Sequence, residues 1–356
     1  AKENYEKKKQ KEKNTRIILI KGNGNNNEDE GKGSMILDGE ILGNANLVKT
    51  GSGMLDLKMT SNSYAGDTII TSGTVRGTTK NINGQVIGSG EGSAVEFRDD
   101  EGEVTLNEIV DMGTFNKTGA ATMIVTENFK AVDANIENGI FIINNDASMG
   151  GSGKDFTVDG TMTVTNAVLK GYSNITSNDL IIGAGATLAP GNSTATVKVS
   201  GNLKFEDDGT YDVEVGQYSM DKAGHYNDNV EVGGTTTIEE NAKLILNNIE
   251  GKYYIPEEIA IITGGVSEAN YKDENITFNG LDARISTSVY ASDNNLYVRF
   301  ARKASEYSNM DNLSHNQQEA ADAIDAISTG NGGDITSVLS TLEDLYDKGD
   351  TEGIKS

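Results

Sequence analysis

The chain has 356 residues, of which 36% are hydrophobic and 6% aromatic, and it contains 42 Gly, 2 Pro, no Trp and no Cys. This composition excludes disulfides and cysteine-based metal sites, and it disfavours a thick globular core. The net charge of −24 argues against nucleic acids and anionic membranes as partners, because both require a basic face that displaces counterions.

The first 33 residues are mostly charged or polar, with one short apolar run at 17–20. That run is too short for the hydrophobic part of a signal peptide, which needs roughly 7–15 residues. No stretch reaches the ~20 apolar residues of a membrane-spanning helix, so we expect no membrane insertion by this chain. Glu28, Asp29 and Glu30 lack the ligand spacing of a calcium loop. We therefore interpret residues 1–33 as an arm and linker.

Between residues 34 and 250, small turn residues recur, and each is followed by alternating apolar positions. Successive turn glycines are 19 to 26 residues apart, a drifting period that is typical of a solenoid with loop insertions. The turn residues are Gly53, Gly73, Gly92, Gly113, Gly139, Gly160, Gly185, Gly209 and Gly234. We predict an all-β fold for this region, a right-handed parallel β-helix with apolar side chains inside and polar ones outside. A β-sandwich is the alternative, although its strands would repeat every 8–12 residues.

The pattern changes at about residue 251. Residues 251–303 read as a hairpin-rich β segment, and we predict that they cap the solenoid, because an open solenoid end leaves core residues uncovered. Residues 304–356 are predicted to be a helical connector. In this part Ser314 and Gln317 form a capping-box pattern before a helix that carries Ala320, Ile324 and Ile327 on one face.

A second helix is predicted after Asp334, which can cap it. Its apolar residues are spaced as one stripe: Ile335, Val338, Leu342 and Leu345.

The segment from Leu47 to Gly77 carries a family resemblance. It is similar to the autotransporter-associated β-strand repeat, whose usual form is a KTGxGxLxL strand, an NxYxGxT turn and strand, and a final GTL. The sequence departs from this form at Val75, which replaces Leu, and by two extra residues before the Asn. The matching residues are Lys49, Thr50, Gly51, Gly53, Leu55, Leu57, Asn62, Tyr64, Gly66, Thr68, Gly73 and Thr74.

Further segments extend the resemblance over most of residues 47–346. Residues 116–125 (NKTGAATMIV) look like a weaker second copy, and residues 185–194 (GATLAPGNST) resemble an element of many passenger domains. The segment that ends at residue 303 resembles the C-terminal cap described as an autochaperone region, and the helix after Ser314 is similar to the segment that precedes the membrane barrel.

The resemblance implies the passenger of a type V secretion system in a Gram-negative bacterium, without its β-barrel translocator. It implies export across the outer membrane and a place at the cell surface or outside the cell. The implied partners are a receptor on host or bacterial cells and, in the full-length protein, the chain's own barrel. A cap that folds first could drive export by templating the next coil.

Residues that could carry catalysis or bind a metal are few. Only His225 and His315 are available as histidines, and no GxSxG elbow accompanies them. Residues 149–155 (MGGSGKD) fail the phosphate-loop pattern and match only the first places of one calcium nonapeptide, so a turn is the preferred interpretation. We predict no catalytic, cofactor-binding or metal-binding residues.

Three functions remain open at this point. The first is a non-catalytic stalk or adhesin module that uses the faces and loops of the solenoid. The second, which the resemblance also allows, is the β-helical remainder of a subtilisin-like protease whose catalytic domain lies upstream. The third is a polysaccharide-active β-helix, but the Tyr and Phe residues are scattered in the sequence, which disfavours an aromatic platform.

Overall fold

The computed structural model describes residues 17–21, 34–59, 62–88, 90, 92–191, 194–215, 227–248, 258–280, 285–302 and 312–328. Within these ranges the chain forms a three-faced parallel β-helix that ends in an antiparallel hairpin. The predicted all-β solenoid is confirmed. The strands in chain order are β1 (Ile17–Lys21), β2 (Ser34–Leu37), β3 (Leu42–Gly43), β4 (Asn46–Thr50), β5 (Met54–Leu57), β6 (Ser63–Tyr64), β7 (Thr68–Ile70), β8 (Gly73–Gly77), β9 (Val86–Gly88), β10 (Ser93–Phe97), β11 (Glu103–Leu106), β12 (Val110–Lys117), β13 (Thr122–Val125), β14 (Phe129–Ile136), β15 (Gly139–Ile143), β16 (Phe156–Val164), β17 (Ala167–Gly171), β18 (Asn174–Ile182), β19 (Thr187–Pro190), β20 (Thr196–Val199), β21 (Asn202–Phe205), β22 (Thr210–Val215), β23 (Asn229–Val232), β24 (Thr236–Ile238), β25 (Lys243–Asn248), β26 (Glu258–Thr263), β27 (Ile276–Asn279), β28 (Ile285–Ser292) and β29 (Asn295–Arg302).

Each coil of the solenoid contributes to three faces. Face one contains β1, β4, β7, β9, β20, β23, β26 and the first halves of β12, β14, β16 and β18. Face two contains β2, β5, β8, β10, β21, β24 and the second halves of the same four long strands. Face three contains β3, β6, β11, β13, β15, β17, β19, β22, β25 and β27. With strands ~4.8 Å apart, the coils stack into a rod about 50 Å long.

The turn glycines, which form one series in the sequence, lie at two different corners of the solenoid. Gly73 and Gly160 lie where the chain enters face two, whereas Gly139, Gly185 and Gly209 precede strands of face three. The reason is that β14 and β18 bend onto face two without a glycine. A Cβ at residue 160 would lie 2.5 Å from Oδ1 of Asp133, the residue that occupies this corner one coil earlier.

The interior is a continuous stack of apolar side chains. Leu47, Leu55, Leu57, Ile70 and Val75 have 0% exposure, as the alternation in residues 46–77 predicts. In the middle coils, aromatic rings from successive turns lie on one another. Phe129 stacks on Phe156 with centroids 4.3 Å apart and meets Phe115 edge-on at 4.8 Å.

The first described coil is less well covered than the others. Met35 of β2 lies in register with buried Leu55 but is 44% exposed, and Ile36 and Leu42 are 58% and 60% exposed. Met35 thus occupies a core position of the solenoid. Among the described residues, a neighbouring coil covers this position on one side.

At the other end, β28 and β29 form an antiparallel hairpin that pairs with β26. Asp293 and Asn294 make its two-residue turn with φ values of 50° and 62°, a conformation that Asn and Asp tolerate. Leu296 and Val298 point into the core with 0% exposure. The parallel register itself continues through β26 and β27. The hairpin predicted to end near residue 302 is therefore present.

Helix α1 (His315–Ser328) follows, and the predicted capping box begins it. Ser314 N–H donates to Oε1 of Gln317 over 2.9 Å, and Gln317 N–H donates back to Oγ of Ser314 over 3.4 Å. On the predicted face Ala320 is exposed and Ile324 is partly buried, whereas the neighbouring Ala321 is buried. Among the described residues, no helix has the length and apolar character to cross a membrane. The second predicted helix lies outside the described residues.

Candidate functional site

The residues of the repeat run from β4 to β8, so they lie on all three faces and at the corners between them. Lys49 is the next-to-last residue of β4 and has 0% exposure, which is unusual for a lysine. Its Nζ donates to the carbonyl oxygens of Thr50 at 3.0 Å and Gly51 at 2.6 Å in its own coil, and to that of Ser72 at 3.2 Å in the next coil. Burial lowers the pKa of the Lys49 ammonium. Lys49 therefore holds two successive corners together.

The second, weaker copy of the motif uses its lysine in the same way at another corner. Lys117 ends β12 with 1% exposure, and its Nζ donates to the carbonyl oxygens of Gly119 at 2.6 Å and Asn138 at 2.5 Å. Asn138 lies one coil later. Burial lowers the pKa of Lys117 to about 8, against the opposing effect of the nearby Asp99 and Asp100 carboxylates.

Asn62 connects three coils across face three. Its Oδ1 accepts a hydrogen bond from Ile41 N–H at 2.9 Å, and its Nδ2 donates to the carbonyl of Asn81 at 2.7 Å. Asn81, which the sequence pattern missed, is 1% exposed and donates from Nδ2 to the carbonyl of Met59 at 2.8 Å. Buried amides of this kind satisfy backbone groups that the irregular corners leave unpaired.

Tyr64 and Thr68 form a second polar group inside the coil. The Tyr64 hydroxyl contacts Oγ1 of Thr68 at 2.6 Å and accepts from Asn83 N–H at 2.8 Å. Thr68 in turn donates to the carbonyl of Asn83 at 2.8 Å. Burial raises the pKa of Tyr64 above its ordinary value.

The motif glycines are required by close approach between coils. A Cβ at residue 66 would lie 2.4 Å from Oδ1 of Asn46. Gly73 has a φ of +74°, and a Cβ there would lie 2.3 Å from the Gly53 carbonyl and 2.7 Å from Nζ of Lys49. The structure thus brings the predicted motif residues together in contacts between coils. These contacts position backbone and offer no group poised for reaction.

The remaining candidate residues are distributed along the chain. His315 is exposed at the start of α1, and His225 lies outside the described residues, as does the acidic run at 28–30. Residues 147–153 fold back on their own coil, with Gly151 N–H donating to the Asp146 carbonyl at 2.8 Å, which is the predicted turn. Among the described residues, no three His, Cys, Asp or Glu side chains come together as a metal site.

Asp228 has the lowest exposure of the buried carboxyl groups among the described residues, and its burial was not predicted. Asp228 is 1% exposed, and its two oxygens accept from Ala195 N–H at 2.8 Å and Glu214 N–H at 2.7 Å. Burial raises the pKa of Asp228 to about 8, and the neighbouring Glu214 and Asp212 carboxylates act in the same direction. Since both oxygens accept backbone N–H groups, Asp228 ties the adjoining coils together. Its polar surroundings in the sequence gave no sign of burial.

Comparison with known proteins is consistent with this geometry. The family model described as the passenger-associated-transport-repeat matches residues 47–76, which run from β4 into β8. The match covers the residues whose contacts are described above, from Lys49 to Gly73, and it supports an autotransporter passenger domain with repeats. No curated protein matches the chain.

Proposed function

Since residues 47–76 carry the repeat of autotransporter passenger domains, we propose that this chain is a non-catalytic stalk and adhesion module at the surface of a Gram-negative bacterium. The observation that supports this proposal best is the continuous parallel register from β1 to β27. The repeat residues are engaged in contacts between coils, which leaves the outward side chains of the three faces and the loops for binding. A rod about 50 Å long would carry these surfaces away from the membrane.

Cell binding by the purified 356-residue chain tests the adhesion proposal. Beads coated with the chain should be retained by cultured epithelial cells or by bacterial cells more strongly than beads coated with albumin. Beads coated with chain unfolded in urea and washed into buffer serve as a control for charge alone, since they carry the same net charge. Equal retention of folded chain and albumin on both cell types would reduce the proposal to a bare stalk.

We further propose that the hairpin β28–β29 assists folding during secretion. It provides a local antiparallel pair with its own apolar side, which includes Leu296 and Val298, and it offers β26 an edge on which the next coil can form. Local antiparallel pairs close short loops and therefore form faster than coils that pair over 20 or more residues.

Surface display tests this role of the hairpin. In the full-length parent protein, Val298→Asp should reduce display strongly, because it places a charge in the core beneath the hairpin. Ser288→Asp is the matched control, because Ser288 lies on the exposed side of the same hairpin. Unchanged display of the Val298→Asp protein would contradict the proposal.

A further inference from the structure

A shallow groove with a volume of about 340 Å³ lies on the outer side of face one near the hairpin. Lys198 of β20, Glu231 of β23 and Thr263 of β26 line it. These three residues are in register across adjacent strands, so the groove runs along the axis of the rod and crosses one coil at each residue.

The same row of side chains continues onto the hairpin. Thr263 lies opposite Asn295 of β29, and Oδ1 of Asn295 accepts from Gly264 N–H at 3.0 Å. The Nδ2 of Asn295 donates to the Tyr297 hydroxyl at 3.0 Å. Tyr297 lies two residues further along β29 on the same outward side, and therefore beside the end of the groove.

Two tyrosines that the sequence places in separate strands meet here. Tyr297 is the cross-strand partner of Tyr290, and their rings stack with centroids 5.6 Å apart and planes 22° from parallel. The guanidinium of Arg299 lies 4.9 Å from the centre of the Tyr290 ring, and Glu258 pairs with that guanidinium at 2.8 Å. Both rings are partly exposed. The hairpin thus carries an aromatic platform, which the scattered positions of Tyr and Phe in the sequence had disfavoured.

The charges of the groove and of the hairpin beside it are balanced, although the chain carries a net charge of −24. Lys198 and Glu231 lie 3.6 Å apart with side chains 51% and 49% exposed, so the pair is solvated and weak. Lys198 and Glu231 cancel, as do Arg299 and Glu258. An anionic polymer would gain little here and would be repelled by the rest of the surface.

We infer that Lys198, Glu231, Thr263 and Asn295, together with the platform of Tyr290 and Tyr297, bind a neutral saccharide chain. A pyranose ring presents an apolar C–H face, which packs on an aromatic ring, and a rim of hydroxyl groups, which pair with donors and acceptors such as these. The strand spacing of ~4.8 Å is close to the length of one sugar residue, so successive coils meet successive sugars. This inference deepens the proposed function, on which it rests, by naming the class of ligand.

Direct binding measurements with defined probes test the inference. We expect the 356-residue chain to bind at least one of cellohexaose, maltohexaose and chitohexaose, detected by titration calorimetry and by a change in tyrosine fluorescence. Replacing both rings by Tyr290→Thr and Tyr297→Thr should weaken binding about tenfold or more, because threonine preserves the strands but removes the platform. Tyr290→Phe with Tyr297→Phe should keep the affinity within about threefold, because the ring faces remain.

Two further variants separate the groove from general surface effects. Lys198→Ala should weaken binding about threefold or more, because it removes a hydrogen-bond donor from the groove. Lys243→Ala is the matched control, because Lys243 forms a comparable exposed pair with Asp208 at 2.9 Å on face three, and its affinity should be unchanged. Absence of binding to all three neutral probes, binding that ignores the tyrosine replacements, or tighter binding of hexagalacturonate would each overturn the inference.

The bead assay distinguishes this inference from the adhesion proposal. If coated beads bind cells and the threonine double variant binds them equally well, adhesion stands and the saccharide site is wrong. If the purified chain binds a neutral hexasaccharide through the tyrosines but its beads bind neither cell type, the site stands and the adhesion proposal is wrong.

Discussion

Lys49 and Lys117 lie within the last two residues of strands on different faces of the solenoid, yet each donates from Nζ to the carbonyl two residues later, at 2.6 Å in both cases, and to a carbonyl of the next coil. The Lys-Thr-Gly motif therefore stabilises a corner of the solenoid, whichever pair of faces that corner joins. The strand ends there, and its last carbonyls turn inward. A long cation that reaches them from the preceding residue satisfies oxygens that would otherwise be buried without partners.

Removal of this cation should destabilise the solenoid. Lys49→Met keeps the length and the apolar stem but leaves three partly buried carbonyls without this donor, so we expect a loss of about 2 kcal/mol in the free energy of unfolding, measured in urea. Lys130→Met is the matched control, because Lys130 is 56% exposed and pairs only loosely with Asp159 at 3.6 Å, and it should change stability by about 0.5 kcal/mol or less. Equal stability of the two variants would refute the corner-closing role.

The amide of Asn62 should be equally important. Asn62→Ala leaves Ile41 N–H and the Asn81 carbonyl unpaired inside the coil, and we expect a loss of about 2–3 kcal/mol. Asn138→Ala removes an amide that is exposed and donates to Thr118 over 3.0 Å, so this control should cost about 0.5 kcal/mol. Hydrogen exchange at residues 41–43 should accelerate in the first variant only. If the backbone N–H groups of residues 41–43 stay protected from exchange in the Asn62→Ala variant, water has replaced the side-chain amide.

The sequence predicted the architecture well, because residues that alternate between apolar and polar form β-strands whose apolar side faces the core. Leu47, Leu55 and Val75 were placed inside by alternation alone, and they are. The burial of Lys49 could not be predicted in this way, since its role depends on a carbonyl 23 residues later. The same holds for the glycine series, because whether a corner needs glycine depends on the residue at that corner in the neighbouring coil, such as Asp133 next to Gly160. The Tyr290 and Tyr297 platform depends on the register of a hairpin, which the turn at Asp293 sets.

The phenylalanine stack should make the middle coils the most sensitive part of the core. Phe129 lies between Phe156 and Phe115, at centroid distances of 4.3 and 4.8 Å. Phe129→Ala should cost about 3–5 kcal/mol, because it opens a cavity between two coils, whereas Phe129→Leu should cost about 1–2 kcal/mol. Both values come from urea unfolding monitored by circular dichroism. If Phe129→Ala lowers the free energy of unfolding no more than Phe129→Leu does, the neighbouring rings close the cavity.

Stability should also depend on pH through Asp228. The folded-state pKa of about 8 lies above the ordinary value of 3.8, so the folded chain holds this proton more tightly than the unfolded chain does. The stabilisation is therefore complete below about pH 4 and is lost as the pH rises to about 8. Glu214, Asp212 and the Tyr211 hydroxyl interact electrostatically with this carboxyl, and burial also raises the pKa of Asp212. Urea midpoints at pH 5, 7 and 9 should fall more steeply for the natural chain than for Asp228→Asn, which has no proton to lose. The test compares how steeply the urea midpoints change with pH and not the midpoints themselves, because asparagine can accept only one of the two backbone N–H groups. Asp159→Asn, at a side chain 52% exposed, should leave the slope unchanged, and parallel pH profiles for all three proteins would show that Asp228 does not titrate in this range.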